Sequence, residues 1–260
     1  MFENIIGYDY VKKELELIIG WYNNEIFLNN KNAKLPGGII FNGPPGNGKT
    51  FFIREILKQF KDNSFVIEGD DDNVLEEITN TYASARKNKV SIVLIDELDL
   101  LIEDKRVVRV LQDELDGINK NGERILTIAS TNHLDDIPEV LRRNGRFDRN
   151  IFITRPEDDE KKEILEYYFN KLGVKFNIKD YNKLLDNLGR RSCAELVSLC
   201  NDCYFRYYGK EVNEDKIYDS LSLIDPFNPL IRYNDEKRDK KTAYHEIGHA
   251  LLVLKYKKIF

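Results

Sequence analysis

The chain has 260 residues, 42% of them apolar and 33% charged, with a formal net charge of -5, a composition able to bury a core in one large or two smaller domains. Both signs of charge are interspersed, which excludes the basic footprint of a nucleic-acid binder, and no uninterrupted apolar run reaches the ~18 residues that suggest a membrane span. Three cysteines, Cys193, Cys200 and Cys203, are an odd number in a chain without secretory features, so a reducing compartment, the cytoplasm, is expected.

The opening stretch, FENIIGYDYVKKELELIIGWYNNE, has helical periodicity and several charges, and does not read as a secretory leader. Five strand-like runs then alternate with helical patterns: GGIIFNG (37–43), SFVIEG (64–69), VSIVLIDE (90–97), RILTIASTN (124–132) and NIFITRP (150–156). Their weak alternation between apolar and polar predicts strands buried on both faces of a parallel sheet wrapped by helices. The fold class expected is therefore α/β, over residues 1–156.

The first run leads into Gly43, Pro44, Pro45, Gly46, Asn47, Gly48, Lys49 and Thr50, a complete G-x-x-x-x-G-K-[ST] between a strand and a helix. That context makes it a phosphate loop. Its glycines let backbone N–H groups turn inward around phosphates, and the helix N-terminus adds positive potential. Lys49 is assigned to the outer phosphates and Thr50 to magnesium.

After the second run comes EGDDDNVLEEITNTYASARKNK, with Asp70, Asp71 and Asp72 read as a solvated turn. A helix is expected from about Asn73, capped by Asp72. The third run delivers Asp96 and Glu97 to the carboxyl edge of the sheet, where ligands bind in open α/β folds. Asp96 can hold magnesium through its water shell, and Glu97 can orient or deprotonate an attacking water. The fourth run ends at Asn132, an uncharged side chain able to hold that water, or simply a turn former. In LRRNGRFDRNIFI, Arg142, Arg143, Arg146 and Arg149 surround a glycine turn. They form either a solvated basic face or cations offered to a phosphate.

Beyond Pro156 the pattern is helical throughout, which predicts a small all-helical domain over 157–224. Within it Cys193, Leu196, Cys200 and Cys203 recur at spacings of three, four and seven, the stripe of one helix face, so the cysteines read as core residues rather than as a C-x-x-C metal site. Residues 225–241 are polar, with two prolines, and read as a linker. In the last segment, 242–260, His245-Glu246-Ile247-Gly248-His249 is H-E-x-x-H. Its two imidazoles lie four apart on one helical face and can share zinc, with Glu246 beside them as a general base.

Taken together, FENIIGYDYVKKEL, GPPGNGKT, LIDELD, ELDGI, STN, RRNGRFDR, RSCAEL and AYHEIGH resemble the AAA+ ATPases, and among them the FtsH-type ATP-dependent zinc metalloproteases. The likeness runs through nearly the whole sequence. It implies a P-loop ATPase with a helical lid, acting as a ring, commonly a hexamer, on protein substrates, with ATP and magnesium as ligands. On the matching positions Asn132 would be a sensor, and Arg146 and Arg149 fingers reaching a neighbour's ATP. Ile5, Ile6 and Gly7 would lie near the adenine, and Ala194 stands where many relatives carry a sensor arginine. Three departures are visible. The sequence starts at the ATPase, without the family's membrane region. No aromatic precedes Tyr82 where a substrate-gripping loop is expected. The zinc motif falls near Phe260 without the family's third ligand, an acidic residue far downstream. The expectation is an ATPase whose zinc site is incomplete within these 260 residues, working by itself or co-assembled as a regulatory subunit with a full-length relative.

Overall fold

The computed structural model describes residues 2–23, 36–69, 73–118 and 123–224. Asp70 to Asp72, the linker and the H-E-x-x-H segment with His245, Glu246 and His249 lie outside the described residues. The chain divides into two compact units, Met1–Tyr168 with Arg190–Ser198, and Phe169–Gly189 with residues from Leu199 onward. This division falls inside two helices rather than at Pro156, because the first turns of the helix after Pro156 carry Glu160, which is bonded to Tyr8 of the first unit.

All five apolar runs form strands: β1 Gly38–Asn42, β2 Ser64–Ile67, β3 Val90–Ile95, β4 Arg124–Thr131 and β5 Phe147–Phe152. They make one parallel sheet in the order β2-β3-β4-β1-β5. Helices α1 (Asp9–Tyr22), α2 (Lys49–Phe60), α3 (Val74–Ala85), α4 (Leu98–Leu101) and α5 (Lys105–Gly117) accompany it. Period-2 geometry distributes the apolar side chains of the inner strands between two cores. Ile39, Phe41, Ile92, Leu94, Leu126 and Ile128 point into one, with Val11, Leu15, Ile18, Phe52 and Ile56 of α1 and α2. Ile40, Val93, Ile95, Ile125 and Ala129 point into the other, with Ile78, Val107, Leu111 and Leu115 of α3 and α5. Burial on both faces holds for β1, β3 and β4. It does not hold for β2 and β5, which are the edges of the sheet and leave Val66 and Phe152 exposed.

Tyr82 is buried in the second core, where its hydroxyl pairs with the Thr127 hydroxyl at 2.9 Å. The first aromatic after the acidic run is therefore a packing residue, and burial raises its phenol pKa. Helix α3 begins close to the expected position, with Asn73 at its N-cap.

Helices α6 (Asp158–Lys171), α7 (Tyr181–Leu188), α8 (Cys193–Arg206) and α9 (Glu214–Ile224) match the four helical patterns after Pro156. In the second unit Phe169, Leu184, Leu185, Leu188, Leu199, Cys200, Cys203, Val212, Ile217 and Leu221 are buried, and Asp180 caps α7 through the Lys183 N–H. Cys200 and Cys203 are core thiols, as their helical stripe predicts, and burial pushes Cys203 up to about 11. Among the described residues no helix is long and apolar enough to cross a membrane, and no group of three or more His, Cys, Asp or Glu side chains could hold a metal.

Candidate nucleotide site

Three neighbouring strands end at one cleft. β1 runs into the loop Gly43 to Gly48, β3 ends before Asp96 and Glu97, and β4 ends before Asn132, with β3 beside β4 and β4 beside β1. The cleft measures about 460 Å³, and its wall includes Gly46, Gly48, Lys49, Thr50, Asp96, Glu97, Ser130, Asn132 and Ala194. Most of the residues expected at the phosphates are thus brought together. Pro45 also lines the cleft, while Asn47 is buried and bonds the Pro44 carbonyl at 3.2 Å.

Lys49 opens α2 and its ammonium turns back over the loop, donating to the carbonyls of Gly43 (2.6 Å) and Pro44 (3.2 Å) and to Asn132 Oδ1 (2.7 Å). Burial lowers its pKa, opposed by the carboxylates of Asp99, Asp96 and Glu97. Gly48 has φ +96°, with nothing within 4 Å of where a Cβ would stand, so the backbone presents an open cradle that a side chain would fill. Two carboxylates against one ammonium in the wall leave the cleft short of positive charge, and one buried oxygen of nearby Asp99 has no hydrogen-bond partner. The oxygen donors, the Thr50 hydroxyl and the Asp96 carboxylate, are hard ligands of the type magnesium takes. These residues fit a magnesium nucleotide.

Glu97 has φ 50° and ψ 52°, the left-handed region. Such a conformation in a non-glycine residue costs on the order of 1–3 kcal/mol and concentrates at functional sites. The Glu97 N–H donates to Ser130 Oγ at 3.0 Å, and the same hydroxyl donates to Asp96 Oδ1. Ser130 was not singled out by the sequence. It is 3% exposed, and the sequence offered only a polar residue next to Thr131 near the end of the fourth run.

The residues expected near the base are arranged differently from one another. Ile5 is buried in the first core, whereas Ile6 and Gly7 are half-buried, and none of the three lines this cleft. Their neighbour Tyr8 supplies the connection: its hydroxyl donates to the Thr154 carbonyl at 3.0 Å and lies 3.3 Å from Cys193 Sγ, in the cleft wall. Burial raises the pKa of both Tyr8 and Cys193. Gly7 (φ +69°) and Tyr8 (φ 57°) are both left-handed, and Glu160 Oε1 accepts from the Tyr8 N–H at 2.8 Å. A Cβ on Gly7 would stand 2.8 Å from Glu160 Cγ. Gly7→Ala is therefore expected to destabilise the domain by about 1–3 kcal/mol, seen as a lower urea midpoint at unchanged slope. An unmoved midpoint would contradict this account of the turn.

On α8, the Ala194 N–H donates to the Gly46 carbonyl at 2.9 Å, which ties the phosphate loop to the position that lacks a sensor arginine. Arg146 and Arg149 are not in the cleft wall. The Arg146 guanidinium holds both oxygens of Asp116 at 2.8 Å and donates to the Val140 carbonyl at 2.6 Å, and Asp116 raises its pKa further. Arg149 is exposed on the edge strand β5, along a groove with Tyr10, Glu14 and Phe152.

Residues 39–155 match the family described as "ATPase family associated with various cellular activities (AAA)". The chain is 32% identical over 279 residues to the "ATP-dependent zinc metalloprotease FtsH 2" of Thermoanaerobacter sp., covering 96% of this chain and 52% of that one. It is 27% identical over 277 residues to the "ATP-dependent zinc metalloprotease FtsH" of Haemophilus influenzae, covering 96% and 43%. With the "ATP-dependent zinc metalloprotease YME1 homolog" of Caenorhabditis elegans the identity is 28% over 276 residues, covering 97% and 38%. The chain thus spans about half the length, or less, of these curated relatives. A parallel sheet carrying a phosphate loop, acidic strand end and terminal asparagine accords with the AAA match over residues 39–155, and the similarity to FtsH-type proteins runs through 96% of the sequence.

Proposed function

We propose that this chain binds ATP with magnesium and hydrolyses it. The observation that carries the reading is the convergence of Lys49, Asp96, Glu97 and Asn132 on one cleft from three adjacent strand ends. Lys49 exchanges its carbonyl and amide partners for phosphate oxygens, as a point cation on the outer phosphates. Thr50 and Asp96 would hold magnesium, which when bound would neutralise charge on those oxygens. Asn132, released from Lys49, orients the attacking water, and Glu97 takes its proton. Ile6 and Gly7, outside the cleft wall themselves, are proposed to approach the base at the end of the cleft where Tyr8 meets Cys193.

Arg146 and Arg149 lie outside their own cleft, which supports a second element: they serve the ATP of an adjacent subunit in a ring, proposed to be a hexamer. The relatives are named as proteases, so protein substrates, or related ring subunits, are the proposed targets. Residues 1–156 are assigned to nucleotide binding and 157–224 to the lid, with the first turns of α6 and α8 belonging to the first compact unit. Zinc at His245 and His249 rests on their spacing alone, and cleavage by Glu246 requires a further ligand. A cytoplasmic location is proposed on the three free thiols, two of them buried.

Release of phosphate from ATP by the purified chain, compared with magnesium and with chelator, tests the hydrolytic reading. A rate that requires magnesium and rises more than proportionally with protein concentration is expected. No turnover at any concentration, with nucleotide still bound, would remove hydrolysis and leave a binding module. Co-purification with a full-length relative tests the regulatory role, which a purely self-associated pool would contradict.

A further inference from the structure

We infer that Ser130 is a positioning residue that sets Asp96 and Glu97 for their separate tasks, an inference that rests on the hydrolytic reading of the same cleft. The parallel register pairs Ile95 of β3 with Ala129 of β4, and one step further along both strands brings the Ser130 side chain beside Asp96. A serine hydroxyl has one proton to give and lone pairs to receive with. Here the proton goes to Asp96 Oδ1 and a lone pair receives the Glu97 backbone N–H at 3.0 Å. One hydroxyl therefore holds two successive residues at once.

The two bonds have different consequences. The bond to Asp96 occupies one carboxylate oxygen and fixes the rotation of the group, leaving the other oxygen for the water shell of magnesium. The bond from Glu97 anchors the backbone just where it turns left-handed, at φ 50°, and that turn determines the direction in which the Glu97 side chain leaves the strand. Ser130 is nearly inaccessible, so water replaces it poorly, and an alanine there leaves an N–H with no partner of equal geometry. Thr131 and Asn132, the residues that follow, have other partners: the Thr131 hydroxyl accepts from the His133 N–H at 3.0 Å, and Asn132 receives Lys49. No other side chain on β4 touches either carboxylate residue among the bonds of the described chain.

The test compares wild type, Ser130→Ala and Ser130→Thr in two measurements. The first is binding of a fluorescent ATP analogue as magnesium is titrated; the second is steady-state hydrolysis. In Ser130→Ala the magnesium concentration for half-maximal binding is expected to rise roughly tenfold, as loss of a hydrogen bond to a charged group implies. Binding of the analogue in chelator should stay within twofold, and kcat should fall by roughly tenfold while KM changes little. Ser130→Thr, which keeps the hydroxyl, should stay close to wild type in both. An unchanged magnesium titration in Ser130→Ala, or equal losses in the two variants, overturns the assignment and leaves the ATPase reading standing. A wild-type chain that binds analogue but never hydrolyses overturns the hydrolytic reading, and the magnesium titration still decides whether Ser130 positions Asp96.

Discussion

Glu97→Gln is expected to keep ATP bound and to reduce turnover by roughly 10²–10⁴-fold, the range for loss of a general base. Glutamine preserves the size of the side chain and the backbone N–H that meets Ser130, so the left-handed turn at position 97 survives. Only the proton acceptor is lost. Lys49, Thr50 and Asp96 are untouched, so the affinity for the magnesium nucleotide should change by no more than about twofold, or ~0.4 kcal/mol. Equilibrium binding and single-turnover hydrolysis on the same preparation separate the two effects. Turnover within threefold of wild type would take Glu97 out of its role.

Arg146→Ala is expected to lower the hydrolysis rate by a factor on the order of 10³, the lower end of what a trans-acting arginine supplies, with nucleotide affinity unchanged. Arg146 is held by Asp116 and the Val140 carbonyl and is not in its own cleft wall, so under the proposed ring reading its effect on hydrolysis comes from the neighbouring subunit. This leads to a complementation experiment. Glu97→Gln subunits retain Arg146, and Arg146→Ala subunits retain Glu97. Mixing the two inactive preparations should restore a measurable fraction of wild-type activity, because a mixed ring contains intact cleft and arginine pairs. Asp116→Asn, which loosens the guanidinium without deleting it, should lose far less than Arg146→Ala. Activity of the mixture no greater than the sum of its parts would refute action between subunits.

The local parts of the fold are legible in the sequence. All five strands and the four helices after Pro156 follow from short apolar runs and helical stripes, and the phosphate loop from its motif. Each of these signals is contained within a few residues. Order in the sheet is not, so the edge positions of β2 and β5 could not be read, and two strands expected to be covered on both faces expose Val66 and Phe152. Long-range pairing also explains the site residues that were missed. Ser130 matters because β4 lies beside β3 in one register, and Glu160 because it reaches Tyr8 across 152 positions of sequence. Ile5 shows the opposite case, a residue placed by motif likeness whose apolar side chain is drawn into the core.

Tyr82 and Thr127 form a polar contact buried between α3 and β4, and its value lies in indexing. The apolar residues on either side of Thr127, Leu126 and Ile128, face the opposite core, and the central strands are mostly apolar, so few polar contacts tell one pairing from the next. Sliding β4 by one residue would turn Thr127 away and strand the Tyr82 hydroxyl among hydrocarbon, at a cost of about 1–3 kcal/mol. It would also carry Ser130 and Asn132 about 3.3 Å along the strand and onto the wrong faces. Two hydroxyl groups remote from the cleft thus act as a locating pin for the side chains that serve it.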